Sequence, residues 1–252
     1  MVQPETSSQT WTAHTVAPDA ETRAVYFADT GIAGRKDGLT VATGRSVELL
    51  TELHPDVLLA GGDYAYFNTD TRFPTLEDAI DAWFDQLEPA AAQSPLMPTY
   101  GNHEVLLGEG FAPWAARFPT PEGWNERRSY SFDVGPFHFI SLHAVHNTAA
   151  LPSAEIAWLE ADIVAAKQAG RPWIVPFTHV SAFAAGSVHP SNLALRDQLG
   201  RVLERHGIRL VLQAHDQAYQ RTWPLTGVGG GGGITATTRT SAALRPATAS
   251  CG

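Results

Sequence analysis

Cysteine is almost missing from this chain of 252 residues: the single one, Cys251, is the penultimate residue. An internal disulfide is therefore excluded, and the redox character of the compartment stays open. Long apolar runs are missing too. No stretch approaches the roughly 20 residues that span a bilayer, so no membrane partner is expected. Basic runs and basic–aromatic interleaving are absent, and the net charge is −9. A nucleic-acid partner held by a positive surface is not expected on such a chain. The N-terminus, MVQPETSSQTWTAHTVAPDAET, lacks the basic start and apolar centre of a secretion signal. The expectation is a soluble protein, either cytoplasmic or secreted with its leader already removed. Acidic residues stop at Asp216, and nothing beyond it carries a carboxylate side chain.

What is present is enough apolar residue, 44% of the chain, for one large domain with a substantial core. Residues 1–22 are polar and read as a tail or linker. Residues 23–225 form the body, in which apolar runs alternate with amphipathic segments. Residues 226–252, with the run Gly229 to Gly233 and then Thr, Ala and Ser, read as a flexible tail without strand or helix period. Three segments have helical spacing. One follows a capping box at Thr75 and Asp78, with Ile80, Trp83, Phe84 and Leu87 on one face. A second, after Ser153, places Ile156, Leu159, Ile163 and Ala166 together. A third, after Ser191, does so with Leu195, Leu199, Val202 and Leu203. SYSFDV and FHFISLHA, joined by Gly135-Pro136, read as a hairpin.

Five apolar runs that read as buried strands each end in a polar residue suited to holding metal. Asp29 follows AVYFA, Asp63 follows DVLLAGG, Asn102 follows LMPTYG, His179 follows WIVPFT and His215 follows RLVLQA. Layered α/β folds build sites where strands end. Taken singly, each residue has a structural reading: Asp63 an acid in a Gly turn, Asn102 the centre of an Asn turn, Asp29 a cap, each histidine a bonded core residue. Together they describe one pocket of oxygen and nitrogen donors for hard or borderline divalent cations. Tyr66, three residues after Asp63, adds a phenol, and His103 and Glu104 follow Asn102 directly.

The series FADTG, GGDYAY, GNHE, FTHVS and AHDQAYQR resembles the motifs of the calcineurin-like metallophosphoesterases. Tyr66 at its spacing from Asp63 resembles the purple acid phosphatase branch. The resemblance covers residues 23–225 and implies a four-layer α/β/β/α sandwich of two mixed sheets flanked by helices, incomplete here at its C-terminal side. It implies two metal ions, iron with zinc, manganese or a second iron. Asp29, Tyr66 and Gln217 would hold the first, Asp63 would bridge, and Asn102, His179 and His215 would hold the second. His103 and His189 would contact the substrate phosphate, with Glu104 orienting His103. The stretch TAHTVAPDAETR resembles the linker after a small β-sandwich domain in this branch.

The implied activity is hydrolysis of small phosphate monoesters by metal-activated water. The alternatives are a phosphodiesterase or nucleotidase of the same superfamily, or a diverged, weakly active metal- or phosphate-binding protein. The last is motivated by Gln217, which stands where the family's Gly-His-x-His motif has its second histidine. Ala28 and Ala214 replace glycines beside the ligands, where a methyl would crowd a turn that needs positive φ. His138, His143, His54 and His206 are given structural readings.

Overall fold

The computed structural model describes residues 15–31, 41–64, 66, 73–105, 112–185, 189–228 and 235–236. A first sheet contains β1 (Ala24–Phe27), β2 (Val57–Ala60) and β3 (Leu96–Pro98), all parallel, with β2 central and buried throughout. A second sheet has the order β4 (Gly123–Trp124), β5 (Ser129–Val134), β6 (Phe137–Leu142), β7 (Trp173–Thr178). The β5–β6 pair is the expected hairpin, with Gly135 at φ 54, and β6 runs parallel to β7. The helices are α1 (Val41–Glu52), α2 (Leu76–Ala91), α3 (Ala112–Arg117), α4 (Ser153–Gln168) and α5 (Leu193–His206).

Alternation along the strands creates the layers, because successive side chains point to opposite faces. Val57 and Leu59 of β2 meet Phe139, Val175 and Phe177 in a core between the sheets. Leu58 and Ala60 point the other way, to Leu50 of α1 and Ile80, Trp83 and Leu87 of α2. Ile140, Leu142 and Ile174 leave the second sheet on its far side, toward Leu159 and Ile163 of α4 and Leu195, Leu199 and Val202 of α5. The result is helix, sheet, sheet, helix, the architecture the motifs implied. Trp83 anchors the first helical layer, with Tyr64 at 4.5 Å and Phe84 at 5.4 Å between ring centroids. Thr75 caps α2 by accepting the Asp78 N–H, and its hydroxyl bonds the Asp78 carboxylate. The cap of α5 is Asn192, one residue beyond the serine expected to mark its start.

Two expectations need correction. RLVLQA is no buried strand: it makes one parallel bridge, Leu212 to Phe177, at the margin of the second sheet. The Leu212 N–H bonds Pro176 O at 3.0 Å and its carbonyl accepts from Thr178 N at 3.1 Å. Among the described residues no strand pairs with its outer side, so Leu210 stays 47% exposed. The stretch beyond residue 225 is not free of strands either. β8 (Leu225–Thr226) pairs with β9 (Thr235–Ala236), antiparallel, across the expected boundary. Strands of two residues are too short to show a period in sequence. The rest of the expected tail, residues 229–234 and 237–252, lies outside the described residues, as does most of the expected N-terminal tail. No helix among the described residues is long and apolar enough to cross a membrane.

Candidate metal centre

The C-terminal ends of four parallel strands bring the predicted residues together. Asp29 lies just past β1, Asp63 past β2, Asn102 past β3 and His179 directly after β7, and His215 follows the Leu212 bridge. The loops are stitched to one another. The Asp29 N–H bonds Gly62 O, Gly31 N–H bonds Asp63 O, and Ala214 N–H bonds His179 O, each at 3.0 Å. Room for this packing comes from two glycines. A Cβ on Gly62, whose φ is +94, would lie 2.7 Å from His179 Nδ1, and one on Gly101 would lie 2.1 Å from Asp63 Oδ1.

The sharp turns fall on four of the predicted site residues themselves. Asp29 (φ 54), Asp63 (φ 57), His215 (φ 73) and Gln217 (φ 50) are all left-handed. Asp and His are among the side chains that tolerate this region best. Ala28 and Ala214 do not have positive φ, so the crowding expected of their methyl groups does not arise from the backbone.

His179 stands at the centre of the arrangement. Its Nδ1 faces the carbonyl of Gly61 at 2.8 Å, which can only accept, so Nδ1 carries a proton. Its Nε2 then faces three acceptors: Asn102 Oδ1 at 3.0 Å, His215 Nδ1 at 3.2 Å and Asp63 Oδ2 at 3.3 Å. A single N–H cannot serve three acceptors well, whereas a cation would be served by all four lone pairs. Ligand atoms of Asp63, His179 and His215 lie within 4.8 Å of one another, all buried. Two further buried atoms, Asp29 Oδ1 and His215 Nε2, have no hydrogen-bond partner among the described residues. The donor set therefore fits divalent cations.

The ionisation states follow from the crowding. Burial raises the Asp29 carboxyl to about 6, against the pull of His179. Burial also opposes the Asp63 charge, but the hydrogen bond from His179 outweighs it and holds Asp63 below its usual value. Burial disfavours the His179 charge, yet the bond and field of Asp63 lift it to about 9. A proton on His179 thus occupies the place that a cation would fill. His215 drops to about 4 through burial and the neighbouring His179 and His189. Burial and the Asp63 and Asp29 charges push the Tyr66 phenol upward; a bound cation reverses that logic.

Each of the other predicted residues has a place. Tyr66 OH lies 3.5 Å from Asp63 Oδ2, and Gln217 Nε2 lies 3.3 Å from Tyr66 OH, although Gln217 itself is exposed. His103 donates its backbone N–H to Asp63 Oδ1 at 3.0 Å and stacks near Tyr66, centroids 4.2 Å apart. His189 packs on His215 at 3.9 Å. Glu104, expected as a partner to His103, holds backbone groups. Its buried carboxylate accepts the N–H groups of Asp63 and Tyr64 at 2.8 Å and of Gly101 at 2.7 Å, clamping two loops together. The Gly61 carbonyl that sets the His179 tautomer was invisible in sequence, since every residue has a carbonyl. Tyr64, whose OH bonds Ala60 O at 2.7 Å and also Thr99 O, stood in the GGDYAY motif but carried no signal of its role. Two of the other histidines have structural places: His138 is bonded to Asp133 and Asp162, and His206 ends α5.

The profile of the family described as "Calcineurin-like phosphoesterase" matches residues 23–219, and the chain belongs to that family. Its curated relatives place it with the purple acid phosphatases. It is 29% identical over 211 residues to purple acid phosphatase 23 of Arabidopsis thaliana, covering 73% of this chain and 45% of that protein. It is 32% identical over 188 residues to human (Homo sapiens) acid phosphatase type 7, covering 68% and 41%. The chain thus spans less than half the length of these relatives. Among solved structures it is similar to a purple acid phosphatase from yellow lupin (Lupinus luteus) seeds, with TM-score 0.73 and 18% identity, over 93% of this chain and 49% of that one. A dimetal phosphatase from Danio rerio gives TM-score 0.59 and 14% identity, over 82% and 85%. At those identities the structures bear on the fold alone.

Proposed function

We propose that the chain is a dimetal hydrolase of small phosphate monoesters. The observation that carries this reading is the gathering of Asn102 Oδ1, His215 Nδ1 and Asp63 Oδ2 within 3.0–3.3 Å of His179 Nε2. In this reading Asp63, Asn102, His179 and His215 would hold one cation, and Asp29, Tyr66 and Gln217, beside Asp63, would hold the other. The cations, in this reading iron with zinc, manganese or a second iron, would supply Lewis acidity to the ester and acidity to a water.

The chain's own residues do the rest. The Gly61 carbonyl fixes the His179 tautomer so that Nε2 points inward. Glu104 keeps the Asp63 and Asn102 loops at a constant separation. His103 sits at the rim with 19% of its side chain exposed, and burial holds its pKa below the usual value. A neutral imidazole still has one N–H to offer a phosphate oxygen or the leaving oxygen. His189, stacked on His215, is the second candidate for that contact.

The test is hydrolysis of p-nitrophenyl phosphate and of its bis-ester by chain reconstituted with iron, zinc or manganese. Turnover of the monoester is expected, with Asp63→Asn lower by on the order of 100-fold or more. Faster cleavage of the diester would move the reading to a phosphodiesterase. A chain that binds metal yet cleaves neither ester would refute it.

A further inference from the structure

The segment between His179 and α5 carries His189, and its described residues form neither helix nor strand. Side chains hold it instead. Three consecutive N–H groups each donate to a side-chain oxygen: Phe183 to Gln213 Oε1 at 3.1 Å, Ala184 to Ser191 Oγ at 2.9 Å, and Ala185 to Gln220 Oε1 at 2.7 Å. Ser191 also donates its hydroxyl to Ala184 O at 3.1 Å, which pinches the segment just past His189. The base is closed by the Asn192 N–H on Ser181 O at 2.9 Å and by the Ser181 hydroxyl on Ala214 O. The two glutamines flank His215 in the chain, one before it and one after. Gln220 has a second hold, because its Nε2 donates to Asp216 Oδ2. Both ends of its amide are then engaged, the carbonyl as acceptor and the NH2 as donor, so its orientation is set. These ties end in the packing of the His189 ring on that of His215, centroids 3.9 Å apart.

We propose that Gln220 is a positioning residue for the phosphate contact assigned to His189: by bracing the Ala185 amide against Asp216, it keeps His189 over His215. This deepens the reading above and rests on its assignment of His189 to the phosphate. Gln220 stands in the AHDQAYQR series, where no role was given to it. An irregular segment has no ladder of its own to fix a side chain, and ordering it costs conformational entropy. A brace made before substrate arrives removes that cost from the binding step. The contact is made to phosphate in the ground state as well as in the transition state. Loss of the brace therefore falls on phosphate affinity and KM, and not on the metals.

The experiment is a double-mutant cycle on zinc-loaded chain with Gln220→Ala, His189→Ala and the pair, read by calorimetric titration of inorganic phosphate. Each single variant is expected to bind phosphate roughly 3- to 10-fold more weakly, the worth of one hydrogen bond. The pair should bind no more weakly than His189→Ala alone. Zinc content should be the same in all, and Gln220→Ala should raise KM for p-nitrophenyl phosphate with kcat little altered. Gln220→Glu keeps an oxygen for the Ala185 N–H but sets a carboxylate against Asp216; it takes the place of Gln220→Ala if that chain does not fold, and should show the same coupling. Losses that multiply in the pair would overturn the inference. So would a Gln220 variant, or His189→Ala, that binds phosphate as tightly as the wild type. If the coupling appears but neither p-nitrophenyl phosphate nor its bis-ester is cleaved, the proposed function fails and the brace stands. If the monoester is cleaved and the coupling is missing, the brace fails and the function stands.

Discussion

Glu104 accepts three buried N–H groups from two loops and has none of its own to offer. Replacing it with glutamine would put an NH2 donor against a backbone donor. Glu104→Gln is expected to cost about 1–3 kcal/mol of stability and to weaken metal binding roughly 10- to 100-fold. Urea midpoints and calorimetric titration check the two effects separately; an unchanged midpoint would mean the clamp is not structural. At this scale the sequence told much about which residues gather and little about how they are held. Asp29, Asp63, Asn102, His179 and His215 were readable because each follows an apolar run. The Gly61 carbonyl and the clamp of Glu104 were not, because backbone groups leave no mark in a sequence and Glu104 stood beside a more conspicuous histidine.

His138 ties elements together. It lies on β6, and its ring joins Asp133 of β5 at 2.8 Å and Asp162 of α4 at 2.9 Å. Arg171 meets Asp133 at 2.7 Å, and the Ser131 hydroxyl bonds Asp162 at 2.9 Å. Burial disfavours the imidazolium, but the two carboxylates outweigh it and raise its pKa. A raised histidine stabilises the fold fully below the unfolded value of about 6.5 and loses that contribution as pH climbs through the folded value. The gap in stability between the wild type and His138→Gln should therefore be widest near pH 6 and narrow toward alkaline pH, as read from denaturant midpoints. A gap that does not change with pH would mean the ring is neutral in the fold. Element by element, α2, α4, α5 and the β5–β6 hairpin were predictable from spacing and from Gly135-Pro136. α1 was not: Gly44 and Thr43 interrupt VATGRSVELLTE, and it is held by packing on α2 rather than by its own propensity.

At the scale of the whole molecule, a metal held in the pocket would couple to stability. The pocket joins the ends of β1, β2, β3 and β7, and so bridges both sheets. A ligand that binds only the folded chain stabilises it by about 2.7 kcal/mol at 100 times its Kd. Zinc added to metal-free chain should raise the melting temperature, and a chelator should reverse the change; a melting temperature indifferent to both would separate the pocket from metal. The four-layer architecture was implied by the resemblance of the motifs to the metallophosphoesterases; the alternation of apolar runs and helical segments by itself fits either two sheets or one large mixed sheet with helices outside. The margin of the second sheet was implied by neither. RLVLQA has the composition of a core strand, and only the three-dimensional arrangement shows Leu210 exposed there, with Trp173 and Trp223 each 46% exposed.

The left-handed turns at Asp29, Asp63 and His215 also bear on how the activity would be lost over generations. Asparagine is among the residues most at ease in that conformation, and a single base change converts an aspartate or histidine codon into an asparagine codon. Such single-step changes would thus silence the centre while leaving the backbone content. Inactive descendants of this chain should accumulate as well-folded proteins bearing asparagine at the motif positions, rather than as unfolded ones cleared by proteolysis.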